Sequence, residues 1–396
     1  MKKIKLNDIV KVNQSGEWGT GLKEGEIGTK VIRTADFNND GSINYDNVIF
    51  RNIQQKKIDE KKLIYGDIII EKSGGTDKNP VGRVVFFNDD NNIYLSNNFT
   101  QVIRIKESMN SKFVFYNLYF NYKNGSTLQM FNKTTGIQNL QMKQFLNQKI
   151  SYISLEEQEI AVRKLDNVRN IIEIKQKQLQ DLDELIKSQF VEMFGSVELN
   201  DKNFEEQELS SIAEISSSKR IYANEYKENG IPFYRSKEII ELGHNKKPSI
   251  ELFISDKRYE EIKDKYGIPK KGDILITAVG TIGETWIVDT DEPFYYKDGN
   301  VLQIRLKTDI AQIYFKYVLD ILISIFKNKN VSGSAYSALT IEKFKKMKII
   351  LPPIELQNQF ADIVKQIDKQ KFEIQKSLEE MKKLQESLMN KYFGEY

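Results

Sequence analysis

Cysteine and histidine, the side chains that most often act as nucleophile, general base or metal ligand, are almost absent from this sequence. It contains no cysteine and a single histidine, His244. A Cys-His pair is therefore excluded. A Ser-His-Asp triad and a zinc site are both disfavoured, because His244 is the only histidine that could serve as the base of the triad or as a zinc ligand. The lack of cysteine also excludes disulfides and fits a reducing, cytoplasmic environment.

Motifs of enzymes that act on nucleotides or DNA are absent as well. No Gly-Lys pair occurs, so the chain has no P-loop. The triplets Glu173-Ile-Lys175 and Glu261-Ile-Lys263 are expected by chance in a chain rich in both residues, and no Pro-Asp accompanies them to complete a common nuclease signature. An adenine methyltransferase is expected to show Asn-Pro-Pro-aromatic, but Asn79-Pro80 is followed by Val81. We expect a non-catalytic chain.

The dominant feature is instead an internal repeat. Two segments, ISLEEQEIAV (153–162) and LPPIELQNQF (351–360), occupy nearly the same place in the two copies: Leu155, Glu156 and Gln158 of the first align with Ile354, Glu355 and Gln357 of the second at a constant shift of 199 residues. Upstream, IRIK at 103–106 aligns with IRLK at 304–307 at a shift of 201, and GDIII at 66–70 aligns with GDILI at 272–276 at 206. The shift changes because the loops differ in length, as expected of a diverged duplication.

Each copy ends in a long amphipathic helix. Ser154 with Glu157 predicts a capping box, Pro352-Pro353 precedes the second helix, and Phe-Gly ends both helices. Apolar residues recur with the spacing of a heptad repeat. They are residues 165, 168, 172, 179, 182, 186 and 193 in the first helix and 364, 367, 374, 378, 381, 388 and 392 in the second, and Lys175, Gln189, Lys371 and Gln385 interrupt the series. We expect the helices to pair as an antiparallel coiled coil; the alternative is that each docks only on its own globular part.

The part that leads each copy is rich in short β-branched runs bounded by Gly, Asn and Asp, with helical patterns between them. The fold class is therefore α+β, with two similar globular domains and two long helices. The predicted boundaries are 1–150 and 198–350 for the globular domains, and 151–197 and 351–396 for the helices. KFVFYNLYF at 112–120 and YVLDILISIF at 317–326 are predicted to be core helices.

Bulk composition is that of a globular protein. Its apolar share is 40% and its formal net charge is +3, which permits nucleic-acid binding without requiring it. No apolar run reaches the length of a membrane span, and MKKIKLNDIVKV at the start has no apolar signal-peptide region. We expect a cytoplasmic protein that does not contact membranes.

The duplicated junctions FLNQKISYISLEEQ (145–158) and FKKMKIILPPIELQ (344–357), each followed by a long helix, resemble the specificity subunits of type I restriction–modification systems. The resemblance covers essentially the whole chain and includes the Gly-Asp-Ile strand starts and VSGSAYSALT at 331–340. It implies two target-recognition domains, each reading one half of an asymmetric, bipartite DNA site. The paired helices would hold the halves apart, in an arrangement with an internal pseudo-twofold.

The resemblance also implies partners. Double-stranded DNA, two modification (methyltransferase) subunits and, through them, restriction (translocase and endonuclease) subunits would assemble on this chain. A duplicated fold can offer two similar surfaces to two copies of a partner. S-adenosylmethionine, ATP and magnesium would belong to those partners, with no cofactor or metal on this chain.

Contacts to DNA are predicted in polar loops, because Lys and Arg bind phosphates while hydroxyl, amide and forked side chains read bases. The first copy has five more residues between Gly66 and Gly82 than the second has between Gly272 and Gly283, so this loop should help to distinguish the half-sites. The predicted residues are Lys72, Ser73, Thr76, Lys78 and Arg83 in the first copy and Lys219, Arg220, Tyr222, Arg235 and Lys237 in the second. The resemblance adds Ser332, Ser334 and Tyr336, whose counterparts lie near Thr135 and Gln138. For each residue the alternative is a solvated surface position.

Other functions stay open at this point. The chain could be the specificity module of a related modification or phage-defence system with different partners. It could also be a structural adaptor whose coiled coil joins two ligand-binding domains that never meet DNA, or a free-standing nuclease. Salt-dependent binding to random duplex DNA together with a sequence preference would separate the DNA-binding readings from the adaptor.

Overall fold

The chain divides into two compact units. The computed structural model describes residues 2–134, 136–329 and 340–394. Unit 1 consists of Met1–Lys177 with Gln375–Tyr396, and unit 2 consists of Gln178–Ile374. Each long helix therefore contributes one half to unit 1 and the other half to unit 2.

Unit 1 is built from short strands and helices. Its strands are β1 (Lys2–Lys5), β2 (Val10–Ser15), β3 (Thr29–Ile32), β4 (Ile49–Arg51), β5 (Ile68–Glu71), β6 (Ser73–Gly74), β7 (Val84–Phe86), β8 (Tyr94–Ser96), β9 (Thr100–Ile105), β10 (Phe131–Thr134), β11 (Ile137–Leu140) and β12 (Lys149–Tyr152). Its helices are α1 (Leu6–Ile9), α2 (Gln55–Lys61), α3 (Ser111–Lys123), α4 (Met142–Asn147) and the first half of α5 (Leu155–Phe194).

Unit 2 follows the same plan. Its strands are β13 (Glu205–Glu208), β14 (Ala213–Ser217), β15 (Ile231–Tyr234), β16 (Phe253–Ile254), β17 (Ile274–Thr277), β18 (Thr285–Ile287), β19 (Tyr295–Tyr296), β20 (Val301–Leu306) and β21 (Lys348–Leu351). Its helices are α6 (Leu209–Ile212), α7 (Ser236–Gly243), α8 (Asp256–Tyr266), α9 (Gln312–Lys329), α10 (Ile341–Lys345) and the first half of α11 (Ile354–Phe393).

The two units share one sheet topology. The main sheet has the order β2-β9-β5-β7 in unit 1 and β14-β20-β17-β18 in unit 2. A second sheet contains one parallel pair, β3 with β8 or β15 with β19, and an antiparallel third strand. A two-stranded ribbon, β1-β12 or β13-β21, leads into the long helix. Unit 1 also has a small sheet with the order β10-β11-β6; the residues of the second copy that align with β10 and β11 lie mostly outside the described ranges. The predicted duplication and the α+β class are confirmed.

The repeated Gly-Asp-Ile motif has a structural reason. Gly66 adopts a φ of 92°, a left-handed conformation that glycine takes without strain, and turns the chain into β5. The buried Asp67 then accepts hydrogen bonds from Arg104 at 2.8 and 2.9 Å. In unit 2, Asp273 accepts bonds from Arg305 at 2.8 and 2.6 Å. The IRIK and IRLK runs therefore occur in both copies for a structural reason: each supplies the arginine that pairs with this buried acid.

Within unit 1, the first half of α5 and the last part of α11 share one core. Ala161, Val162 and Leu165 belong to the same buried cluster as Met389 and Phe393. The ring centroid of Phe393 lies 5.1 Å from that of Phe113 and 6.1 Å from that of Phe120, both on α3. The end of the second helix thus packs beside the start of the first.

Unit 2 shows the converse arrangement. The rings of Phe190 and Phe194, near the end of α5, each lie 5.5 Å from the ring of Phe360, near the start of α11. Lys371 on α11 forms an ion pair with Asp183 on α5 at 2.5 Å. The predicted antiparallel pairing of the long helices is confirmed.

The predicted seam of the long helices also agrees with the structure. All fourteen predicted apolar positions are buried or half-buried, and so are the four polar interruptions. The capping box is confirmed, since the Ser154 backbone donates to Glu157 Oε2 at 2.9 Å and the Glu157 backbone donates to Ser154 Oγ at 3.3 Å. Gly195, with a φ of 69°, ends α5 as a left-handed cap.

The two aromatic runs are core helices, as predicted. Phe113 and Phe115 on α3 are buried, and so are Val318, Leu319 and Ile323 on α9. Within the described ranges, no helix combines the length and the apolar character that crossing a membrane requires.

Candidate nucleic-acid interface

The predicted residues of unit 1 begin where β5 ends. Lys72 is half-buried, and its Nζ donates to Ser15 Oγ at 2.5 Å and to Gln101 Oε1 at 3.3 Å. Burial lowers the pKa of the Lys72 ammonium group, and the nearby charge of Lys61 lowers it further. An ammonium group of this kind is partly desolvated and gains from an added anion.

The rest of the predicted loop has an exposed tip, and it ends at an arginine that is bonded within the fold. Thr76 Oγ1 accepts a bond from the Asn79 backbone at 3.0 Å, and both Thr76 and Lys78 are exposed. Arg83 is only 16% exposed because Nε donates to Glu71 Oε2 at 2.7 Å and Nη2 donates to Thr34 O at 2.9 Å. The tip is accessible to a ligand, whereas the Arg83 side chain is held by hydrogen bonds within unit 1.

The first loop of unit 2 presents a supported arginine. Arg220 is 65% exposed, and its Nε donates to Asp298 Oδ2 at 2.7 Å. This hydrogen bond raises the pKa of Arg220. The ammonium group of Lys219 lies 5.2 Å from the centre of the Tyr266 ring, and Tyr222 is 62% exposed. Exposed arginine, lysine and tyrosine on one loop are typical of nucleic-acid contacts.

The second predicted group of unit 2 is an ion-pair network. Glu251 accepts bonds from both Lys237 Nζ and Arg235 Nη2 at 2.8 Å. These bonds, with Lys237 as the larger contributor, lower the pKa of Glu251 to about 2. Arg235 also donates to the buried carboxylate of Glu238 at 2.9 Å. The network holds the Arg235 guanidinium in one orientation.

Unit 2 brings these two groups together at one edge. β15 and β19 are parallel, so their C-terminal ends are adjacent. Arg235 follows β15, and Asp298, which supports Arg220, follows β19. The backbone of Lys297 donates to Tyr234 O at 2.8 Å and ties the two ends together. The structure therefore clusters the predicted residues of unit 2.

Some predicted residues have other placements. Ser73 Oγ donates to Asn139 Oδ1 at 2.7 Å on the small sheet of unit 1. Gln138 is buried and accepts a bond from the Val81 backbone at 3.1 Å. Ser332, Ser334, Tyr336 and Thr135 lie outside the described residues. Contact with DNA stays a prediction for all the residues named.

Arg33 is absent from the predicted contacts although it matches Arg235. Each arginine directly follows the first strand of the parallel pair, and each precedes an acid by three residues, Asp36 or Glu238. Arg33 Nη2 donates to Asp36 Oδ1 at 2.8 Å. The sequence signal is the Arg-x-x-acid spacing after a strand; because the same spacing also starts at Arg104, Arg163 and Arg258, it does not stand out without the strand assignment.

Metal coordination has no candidate in the described part of the chain. Residues 2–134, 136–329 and 340–394 contain no group of three or more His, Cys, Asp or Glu side chains arranged to hold a metal ion. The prediction that this chain binds no cofactor stays a prediction.

Comparisons with known proteins point to one family. The type I restriction modification DNA specificity domain matches the chain twice, over residues 1–184 and 201–383. A protein of Haemophilus influenzae named as a type I restriction enzyme specificity subunit is 36% identical over 159 residues, which span 40% of this chain and only 38% of that relative. The MjaVIII type I restriction enzyme specificity subunit of Methanocaldococcus jannaschii is 25% identical over 75% of this chain and 72% of its own length.

Solved structures agree at the level of the fold. The crystal structure of a type I restriction-modification S subunit from M. genitalium is similar with a TM-score of 0.63 and 16% identity, over 100% of this chain and 96% of that one. A structure from work on complex assembly and conformational transition of the type I R-M system has a TM-score of 0.52 at 16% identity, over 99% and 97%. Because the domain matches both copies of the repeat, this chain belongs to the family of type I restriction modification DNA specificity domains.

Proposed function

We propose that this chain is the DNA-recognition subunit of a type I restriction–modification complex and that it reads an asymmetric, bipartite site. The observation that carries the proposal is one α+β fold built twice on two antiparallel helices, with different loops at equivalent edges. Equivalent folds would address equivalent features of the duplex, and different loops would read different bases.

The loops differ in the chemistry they offer. The first unit offers the exposed Thr76 and Lys78 beside a half-buried Lys72. The second offers Arg220, Tyr222 and the Arg235 network. Because hydroxyl, ammonium and guanidinium groups favour different base edges, the two half-sites should have different sequences.

The long helices would set the distance between the half-sites. Each is 40 residues long, which at about 1.5 Å per residue gives roughly 60 Å. Two readers on a rigid support meet the same face of a duplex most easily about one helical turn, or ~10 bp, apart. The helix length would thereby select the spacer of the DNA site.

Partner subunits would bind to the helices. Ile174 on α5 is 57% exposed and Phe372 on α11 is 66% exposed. The helices also expose Leu185 and Val191 on α5 and Leu384 on α11, and several large apolar side chains on one helix surface are typical of protein interfaces. We assign these surfaces to two methyltransferase subunits, which would supply S-adenosylmethionine and recruit the restriction subunits with ATP and magnesium. The chain itself would be non-catalytic and would act in the cytoplasm, where the DNA is.

Mapping methylated adenines tests this function. Cells that express the chain together with a methyltransferase subunit of the same system should show methylation at one motif with two different half-sites and a fixed spacer. Cells with the methyltransferase alone serve as the control. Methylation at a single continuous motif, or an identical pattern without this chain, would contradict the proposal.

A further inference from the structure

A four-residue motif recurs at the same structural position in both units. It reads Arg33-Thr34-Ala35-Asp36 after β3 and Arg235-Ser236-Lys237-Glu238 after β15. In each case the acid side chain accepts a bond from the backbone N–H of the arginine, at 2.8 Å for Arg33 and 2.7 Å for Arg235. We call these two segments the arginine turns.

The acids of the arginine turns are fully buried. Asp36 is 1% exposed and Glu238 is 0% exposed. A carboxylate at such depth is tolerated because the guanidinium of the same turn neutralises it. The arginine is fixed in return: Arg33 donates to Asp36 through Nε at 3.2 Å and through Nη2 at 2.8 Å.

Each guanidinium has N–H groups that its turn does not use. Arginine has five N–H groups. Arg33 uses Nε for Asp36 and both N–H groups of Nη2 for Asp36 and Asn47 O, which leaves the Nη1 pair. Arg235 uses Nη2 for Glu238 and Glu251. The two side chains are 30% and 33% exposed, so solvent reaches part of each arginine.

The turn in unit 2 also contains unpaired polar atoms. Ser236 Oγ and Arg235 Nε are buried and have no hydrogen-bond partner among the described residues. A buried donor without an acceptor is costly, so rotation of the Ser236 hydroxyl or a shift of the Arg235 side chain toward an incoming phosphate oxygen would remove that cost. Thr34 supplies a hydroxyl at the matching position in unit 1.

We propose that the arginine turns are two equivalent phosphate clamps, each using its guanidinium edge and the following hydroxyl to bind one phosphate of the DNA backbone. This inference rests on the proposed DNA recognition. The two half-sites differ in base sequence but share the phosphate backbone. Groups repeated in both units therefore match what the half-sites have in common, while groups present in one unit read what differs.

The geometry suits a phosphate. A guanidinium held by a carboxylate on one edge presents its other edge at a fixed angle, so little side-chain entropy is lost when it binds an oxyanion. A second cation, itself paired with an acid, lies close to each turn: Arg83, which binds Glu71, donates to Thr34 O, and Lys237 shares Glu251 with Arg235.

The salt dependence of DNA binding by the full chain tests the clamps. The variants are Arg33→Gln with Asp36→Asn, and Arg235→Gln with Glu238→Gln. Each removes the ion pair without changing net charge, and neither leaves a buried carboxylate unpaired. For specific and random duplexes alike, the plot of log K against log salt should become shallower: the magnitude of its slope should decrease by about 0.9 for each turn and by about twice that in the combined variant. Lys365→Gln with Asp362→Asn removes an exposed ion pair on α11 and should leave the slope unchanged.

Hydroxyl variants cover the case in which those changes impair folding. Thr34→Val and Ser236→Ala keep both ion pairs and should weaken binding to every sequence by a similar factor. Three results would overturn the clamps. The first is an unchanged salt slope in both charge-pair variants when their thermal unfolding is normal. The others are a loss of affinity confined to one base sequence and an unchanged affinity in both hydroxyl variants. A wild-type chain that shows no salt-dependent DNA binding would instead refute the proposed DNA recognition.

Discussion

Gln158 and Gln357 occupy the same place in two copies of one fold. Gln158 Oε1 accepts a bond from the Asn110 backbone at 2.9 Å, and Nε2 donates to Ile153 O at 2.8 Å. Gln357 repeats both bonds with the Ala311 backbone at 3.0 Å and with Pro352 O at 2.7 Å. Each buried amide joins the start of a long helix to the segment that begins α3 or α9.

Replacing either glutamine should destabilise the unit that contains it. Gln158→Leu or Gln357→Leu leaves a buried N–H and a buried carbonyl without a partner, at a cost of about 2 kcal/mol. Urea unfolding measures the change in the free energy of unfolding. Gln176→Leu, at an exposed position of α5, is the matched control and should cost little. Equal stability of Gln158→Leu and the control would show that the amide bonds are dispensable.

The long helices could be predicted from the sequence because their determinants are local. The caps and the heptad spacing predicted one long helix within 151–197 and another within 351–396, and the structure has them at Leu155–Phe194 and Ile354–Phe393. Their pairing was expected because an amphipathic helix needs an apolar partner. The duplication was predicted from the alignment of the two junction segments.

The candidate site could be predicted only in part. Arg83 was predicted to contact DNA, but its distance in space from Glu71 and Thr34 cannot be read from a linear sequence. Arg220 and Asp298 are 78 residues apart and meet because β14, which precedes Arg220, pairs antiparallel with β20, which follows Asp298. Arg33 could not be identified from the sequence because the Arg-x-x-acid spacing recurs elsewhere in the chain, for example at Arg163-Lys-Leu-Asp166, and becomes informative only when the preceding strand and the burial of the acid are known.

The buried acids of the main sheets should be essential for stability. Asp67→Ala removes the partner of Arg104, and Asp273→Ala removes that of Arg305. Breaking a pair of this kind typically costs about 3 kcal/mol, since the remaining charge is left in a partly buried place. Thermal unfolding should show a clear fall in midpoint for both variants. The exposed Asp90→Ala should behave like the wild type, and an equally mild effect of Asp67→Ala would contradict this account.

Acid should weaken the network around Arg235. The pKa of Glu251 is lowered to about 2 from its ordinary value of 4.5, so its bonds to Lys237 and Arg235 contribute fully above pH 4.5 and are lost as the pH falls toward 2. The difference in unfolding midpoint between wild type and Glu251→Gln should therefore shrink from pH 6 to pH 3. High salt should reduce it too, because Glu251 is exposed. A difference that stays constant with pH would count against the network.

Arg220 should serve one half-site alone. Arg220→Ala removes an exposed guanidinium of unit 2 and should weaken binding to duplexes that carry the half-site read by unit 2, by roughly 1–3 kcal/mol. Lys78→Ala, on the loop tip of unit 1, is the reciprocal variant. Competition between duplexes with one half-site scrambled separates the two effects. Loss of affinity for both half-sites on replacing Arg220 would refute independent reading.

The spacing of the two half-sites tests the central claim most directly. Removing one heptad from the middle of both long helices shortens each by about 10 Å, which corresponds to about 3 bp of duplex. Selection of bound sites from a library with random spacers should then recover the same two half-site sequences with a spacer about 3 bp shorter. A folded deletion variant that keeps the original spacer would show that the paired helices do not set the distance between the two readers.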